Sequence, residues 1–116
     1  MQEQQYKVYL TEYCTDALRN IALGIAIDLS EPEAAKTWLQ KMRKHIFGLD
    51  TFPARVPLTP EEPWHSLGLR RLTVGKYYVY FLVFQDQMEV RVTDVIYQGM
   101  EQARQLSYLP VNDLVD

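Results

Sequence analysis

The sequence predicts an α+β fold in which an N-terminal strand and a helical hairpin pack on one face of an antiparallel sheet. Three observations carry this. Two successive stretches repeat apolar residues at helical spacing, a proline-rich segment then breaks the chain, and three strand-like runs follow with only two or three turn residues between them. The expected element order is β-α-α-β-β-β-α.

Tyr6 to Leu10 alternates in the manner of a strand, with Tyr6, Val8 and Leu10 on one face. Thr11 is placed to cap a helix running to about Leu29. Its Cys14, Ala17, Leu18, Ile21, Ala22, Ile25 and Leu29 form an apolar stripe. Ser30-Glu31-Pro32-Glu33 has the form of a capping box with proline in the first turn. The second helix then shows Ala35, Trp38, Leu39, Met42, Ile46 and Leu49 as its stripe. Lys36, Gln40, Lys41, Arg43 and Lys44 lie off it, so Trp38 is expected in the core and Lys41 and Lys44 outside it.

Between Phe52 and Pro63 stand Pro53, Pro57, Pro60 and Pro63, which exclude a helix or a central strand. The runs from about Leu69 to Val74, Tyr77 to Phe84 and Met88 to Ile96 then read as three strands. Gly75-Lys76 and Gln85-Asp86-Gln87 are short enough to be hairpin turns, which makes an antiparallel meander. Gln98 to Leu106 suits a short final helix, and a short flexible tail is expected from about residue 107. With helices on one sheet face only, the other face is expected to stay open as a groove.

The 116 residues, 47% apolar and 23% charged, without repeat or linker, fit one domain over 1–116. One cysteine, Cys14, rules out an internal disulfide and points to a reducing compartment. No apolar run approaches bilayer length, and Met1 to Gln5 is polar, so the expected location is cytoplasmic with no membrane partner. No Cys/His cluster has metal-ligand spacing, and no glycine-rich phosphate loop is present. Neither metal nor cofactor is therefore expected. The net charge of −3 means that any nucleic-acid contact must rely on a local basic patch.

Several phrases in this order resemble the RelE/ParE toxins of type II toxin–antitoxin systems. They are Tyr6-Lys7-Val8, Leu49-Asp50-Thr51-Phe52-Pro53, Gly68-Leu69-Arg70, the aromatic run Tyr77-Tyr78-Val79-Tyr80-Phe81, and Tyr97 at the end of the last strand. The resemblance spans about Tyr6 to Leu106. It implies a toxin neutralised by a cognate antitoxin, reaching operator DNA only through that antitoxin. Members of the RelE type cleave mRNA on the ribosome without metal, and members of the ParE type poison DNA gyrase. Many ribonuclease members carry an arginine in the aromatic strand and Gly-Arg-Arg-Asp after the final strand. Here the latter position reads Gln98-Gly99-Met100-Glu101. The leading expectation is a toxin that inhibits translation by ribosome-dependent mRNA cleavage; the alternatives are a non-enzymatic gyrase inhibitor and a decayed toxin that only binds its antitoxin.

For an endonuclease, cations must stabilise the pentacoordinate phosphate, and a phenol or imidazole can move the proton. The resemblance favours Arg70 for the phosphate. Strand parity favours Arg71, since Arg70 shares a face with Leu72 and Val74, and Arg71 with the polar Thr73. Arg91 and Tyr97 fall on one face of the last strand by the same parity and would join this site. Asp94 interrupts the apolar face of that strand, which implies a partner or a bulge. His65, in the proline loop, and His45, among the helix lysines, read as incidental. Tyr78, Tyr80 and Leu82 alternate onto the face that the helices do not cover. They are expected to form an exposed patch that binds the antitoxin.

Overall fold

The structure, a computed structural model, describes residues 5–116. Residues 1–4, the start of the polar N-terminal stretch, lie outside the described part. Strand β1 (Lys7–Leu10) leads directly into helix α1 (Glu12–Asp28), followed by α2 (Pro32–Phe47), a short α3 (Trp64–Leu67), β2 (Arg70–Val74), β3 (Tyr77–Phe84), β4 (Glu89–Tyr97) and a short α4 (Gln102–Leu106). The four strands form one sheet in the order β1-β4-β3-β2. The meander β2-β3-β4 is antiparallel, as its short turns require, and β1 joins it parallel to β4, with Lys7 opposite Glu89 and Leu10 opposite Val92. Gly75 takes the left-handed φ of +57° that the two-residue β2-β3 turn needs.

Thr11 caps α1 as its sequence position suggests: its hydroxyl oxygen accepts from the Cys14 amide at 3.1 Å. The same residue ties the helix to the sheet, because its amide donates to the Val92 carbonyl at 3.0 Å. The second helix is capped differently from expectation. Ser30 sits at φ +49°, a left-handed turn residue, and makes no cap; Glu31 occupies the cap position without a side-chain bond. The turn between antiparallel helices needs a left-handed residue there, and that geometry displaces the capping box. Leu29, assigned to the α1 stripe, is exposed at that turn.

Helices α1 and α2 cover one sheet face. Their core joins Cys14, Leu18, Met42, Ile46 and Leu49 to Val79, Phe81, Val90 and Val92, all buried. Trp38 packs at the margin of this core, half-buried, with its ring 5.1 Å from that of Tyr77 in an edge-to-face pair. Trp38→Ala is expected to cost about 2–3 kcal/mol, below the roughly 3–5 kcal/mol of a fully enclosed ring. The exposed Lys41→Ala and Lys44→Ala should stay within about 0.5 kcal/mol of the parent. Urea unfolding midpoints check the register of α2, and an unchanged midpoint for Trp38→Ala would refute it.

The opposite face is not an open groove. A second core covers it, built from Trp64 of α3, Leu69, Leu106 of α4 and Leu109, all packed on Tyr80, Leu82 and Ile96. The tail from residue 107 is docked rather than free, since Leu109 is buried and the segment Val111–Asp113 forms a 3-10 turn. Short elements of four or five residues supply this cover. They are too brief to display a periodic stripe in sequence.

Candidate functional site

Each expected site residue sits on a definite part of the sheet. Arg71 lies on the second-core face of β2, opposite Tyr80 of β3. Its guanidinium stacks over the Tyr78 ring at 4.2 Å and forms an ion pair with Glu61 at 3.5 Å. Glu61 comes from the proline loop and also accepts a hydrogen bond from the Thr59 hydroxyl. His65 steadies the same loop, with its Nδ1 2.9 Å from the Thr59 carbonyl oxygen. Beneath this cluster the Tyr80 hydroxyl donates to Gln102 Oε1 at 2.7 Å. Burial pushes the Tyr80 phenol up to about 12, so it does not lose its proton near neutral pH.

Arg70 lies on the helix-side face of β2, opposite Phe81. Its guanidinium donates to the carbonyls of Ala54 (3.2 Å) and Val56 (2.6 Å), clamping the proline loop along the free edge of β2. The loop in turn pairs with that edge through a bridge from Leu58 to Arg70. Arg91, opposite Leu82 on the second-core face of β4, is engaged in a similar way. It donates to the carbonyls of Asp113 (3.0 Å) and Val115 (2.7 Å) and lies 4.4 Å over the Phe84 ring.

Tyr97 does not share a face with Arg91, contrary to the parity expectation. The pairing of β3 with β4 shifts between Tyr80 and Phe81, which face Asp94 and Val92 respectively. Thr93 is the extra residue of a β-bulge, so every side chain after it changes face. Tyr97 therefore lies on the helix side, exposed, with its ring 5.7 Å from that of Tyr77. Arg91 stays on the other side with Leu82. Arg70, Arg71, Arg91 and Tyr97 thus form no common site.

The expected antitoxin patch is also corrected. Tyr80 is fully buried and Leu82 is 4% exposed, because α4 and the docked tail lie over them; Tyr78 alone is partly accessible. The exposed apolar residues stand elsewhere. Leu23, Ile27 and Leu29 are 58%, 66% and 62% exposed at the outer end of the helical hairpin. Sequence periodicity had a signal for them, since Leu23 and Ile27 stand one helical turn apart and off the core stripe. They adjoin a groove between α1 and α2 lined by Ala22, Leu23, Ala26, Pro32, Ala35 and Leu39, with Arg19 and Arg43 also among its lining.

A second cavity opens beside β4. Strand β1 ends at Leu10, opposite Val92, so β4 has no strand neighbour on that side from Thr93 to Tyr97. Tyr13, Asp16, Ala17, Asn20 and Ile21 of α1 form one wall, and Asp94 to Tyr97 with Met100 and Gln105 form the rest. Among the described residues no group of His, Cys, Asp and Glu is arranged to hold a metal ion. No helix among them is long and apolar enough to cross a membrane.

A family profile described as the ParE toxin of the type II toxin–antitoxin system parDE matches residues 8–102. The chain belongs to the ParE toxin family. The match runs from β1 into α4 and so includes both helices and the whole meander. Among solved structures, this ParE-family chain is similar to one from a chromosomal ParDE system of P. aeruginosa. The TM-score is 0.67 at 20% identity, over 81% of this chain and 97% of that one. It is also similar to a chain of the RelBE2 toxin–antitoxin complex of Mycobacterium tuberculosis. There the TM-score is 0.59 at 16% identity, over 85% of this chain and 98% of that one. A search of curated protein sequences returns no significant match. The ParE-family chain is therefore the toxin of a type II toxin–antitoxin system, with the α+β fold that the order of its elements predicts.

Proposed function

We propose that this toxin arrests growth by binding a protein target, DNA gyrase, and is not a ribonuclease. One observation carries the choice. The three arginines best placed to hold a phosphate are each engaged by the chain itself: Arg70 and Arg91 by backbone carbonyls, and Arg71 by Glu61 and Tyr78. An RNA phosphate must break those contacts before it gains any charge stabilisation. The phenol of Tyr97 lies on the opposite face of the sheet from Arg71 and Arg91, which does not favour a phosphate site shared among them. A protein target needs no such constellation, and the exposed Leu23, Ile27 and Leu29 supply an apolar contact surface. In the resting cell a cognate antitoxin holds the toxin, and operator DNA is contacted through that antitoxin.

The test is induction of the chain alone in a bacterial host. Arrest with a DNA-damage response and intact mRNA is expected. Arg70→Ala, Arg71→Ala, Arg91→Ala and Tyr97→Phe, where folded, should arrest growth as the parent does, whereas Leu23→Asp combined with Ile27→Asp should relieve it. Rapid mRNA loss that disappears in any of the arginine variants would return the ribonuclease to first place. A harmless parent would favour the decayed toxin.

A further inference from the structure

The cavity beside β4 holds a buried acidic side chain. Asp94 is 5% exposed, and its Oδ1 accepts from the Val95 amide at 2.8 Å. That amide is held by a side chain rather than by β3, so the carboxylate sits at the unpaired edge of β4, where the cavity opens. No lysine, arginine or histidine lines the cavity, and no ion pair to Asp94 exists among the described residues. The groups around the carboxylate are neutral or acidic. Tyr13 and Cys14 of α1 lie close enough for its charge to act on them, Asp16 stands at the rim, and Tyr97 closes the far end. Asp16 already pairs with Arg19 at 3.0 Å in the open, a weak contact in water.

A buried carboxylate with one hydrogen bond and no cation is costly, and the cost falls when a cation enters the same low-dielectric space. The cavity, about 420 Å³, lies within the roughly 300–1,000 Å³ of sites that take small groups. Its apolar walls, Ala17, Ile21 and Met100, suit a methylene stem, and Tyr13 and Tyr97 supply rings for a planar cation. We propose that this cavity is an anchoring site for one arginine side chain of the antitoxin, with Asp94 pairing its guanidinium. Arginine is preferred to lysine because its weakly hydrated, planar head tolerates burial and forks onto a carboxylate. The proposal rests on the reading of this chain as a toxin held by a partner protein. Burial raises the Asp94 carboxyl to about 7, so the seat should strengthen as pH rises through neutrality.

Ethylguanidinium chloride serves as the probe, and its neutral isostere N-ethylurea as the control, in an NMR titration of the free full-length chain. The expected result is saturable shifts of the Tyr13, Val95 and Tyr97 amides with ethylguanidinium alone. The affinity should be at least about 3-fold weaker at pH 5 than at pH 8, and binding should be lost in Asp94→Asn. The pH comparison on the parent keeps the test decisive should that variant not fold. Absence of saturation, equal binding of N-ethylurea, or no change of affinity between pH 5 and pH 8 each overturns the site. The growth assay reads the toxin assignment separately. A chain that binds ethylguanidinium yet leaves growth untouched overturns the gyrase reading in favour of a decayed toxin that still holds an antitoxin and keeps the seat, and the converse result sinks the seat alone.

Discussion

Acidification from pH 8 to pH 5 is expected to stabilise the folded chain by about 2–3 kcal/mol, and Asp94→Asn should remove most of that response. Burial raises the Asp94 carboxyl from an ordinary 3.8 to about 7 in the folded state. Between those values the native protein holds a proton that the unfolded chain has lost. The associated stability is fully present below about pH 4 and is lost as pH rises through about 7. Integrated over the whole window it amounts to about 4 kcal/mol, at about 1.4 kcal/mol per unit. Asparagine keeps an oxygen for the Val95 amide and never ionises, so Asp94→Asn should be the more stable protein at pH 8 and close to the parent at pH 5. Urea unfolding midpoints of both proteins at the two pH values check this. A parent that loses stability steadily from pH 8 to pH 5 would place the charge in water and refute the buried site.

Leu106→Ala is expected to cost about 2–5 kcal/mol. Leu106 is 1% exposed and belongs to the core that α4 and the tail build over Tyr80, Leu82 and Ile96. Removing three carbons there leaves a cavity between a short helix and a rigid sheet, and neither collapses easily to fill it. If α4 were instead a loosely attached flap, the substitution would fall within about 0.5 kcal/mol, as exposed positions do. Denaturant unfolding separates the two. Near-ultraviolet circular dichroism should also change, since the cavity borders the Tyr80 ring.

The long elements were legible because each repeats its pattern many times. Cys14, Leu18 and Ala22 recur over about two turns of α1, and Ala35, Met42 and Ile46 over about three turns of α2. The meander was legible because Gly75-Lys76 and Gln85-Gln87 leave no room for anything but hairpins. The cover on the second face was not, because α3 and α4 bring only four and five residues each. The face of Tyr97 was lost to one inserted residue, Thr93, which reverses parity for the rest of β4. Asp94 stood out in sequence as a charge on an apolar face, and the bulge beside it was one of the two explanations it invited. What the sequence could not say is that β1 stops short and leaves a cavity there, since strand pairing between residues some eighty positions apart is a property of the folded chain. The arginines were visible as cations, but their engagement by carbonyls of Ala54, Val56, Asp113 and Val115 depends on loop paths that no local pattern encodes.

The parallel pairing of β1 with β4 has a consequence for synthesis. Lys7 opposes Glu89 and Leu10 opposes Val92, so the first strand made waits for nearly the last one. Until β4 leaves the ribosome, β1 has no neighbour, and the Cys14, Leu18 and Ala22 face of α1 has only α2 to rest on. Contacts of such long sequence separation are the slow ones to form, because a large loop must close first. A chain growing at about 5–20 residues per second therefore spends several seconds with these apolar surfaces uncovered. During that interval it is not yet a toxin, and an antitoxin already present in the cell meets it at the moment of completion.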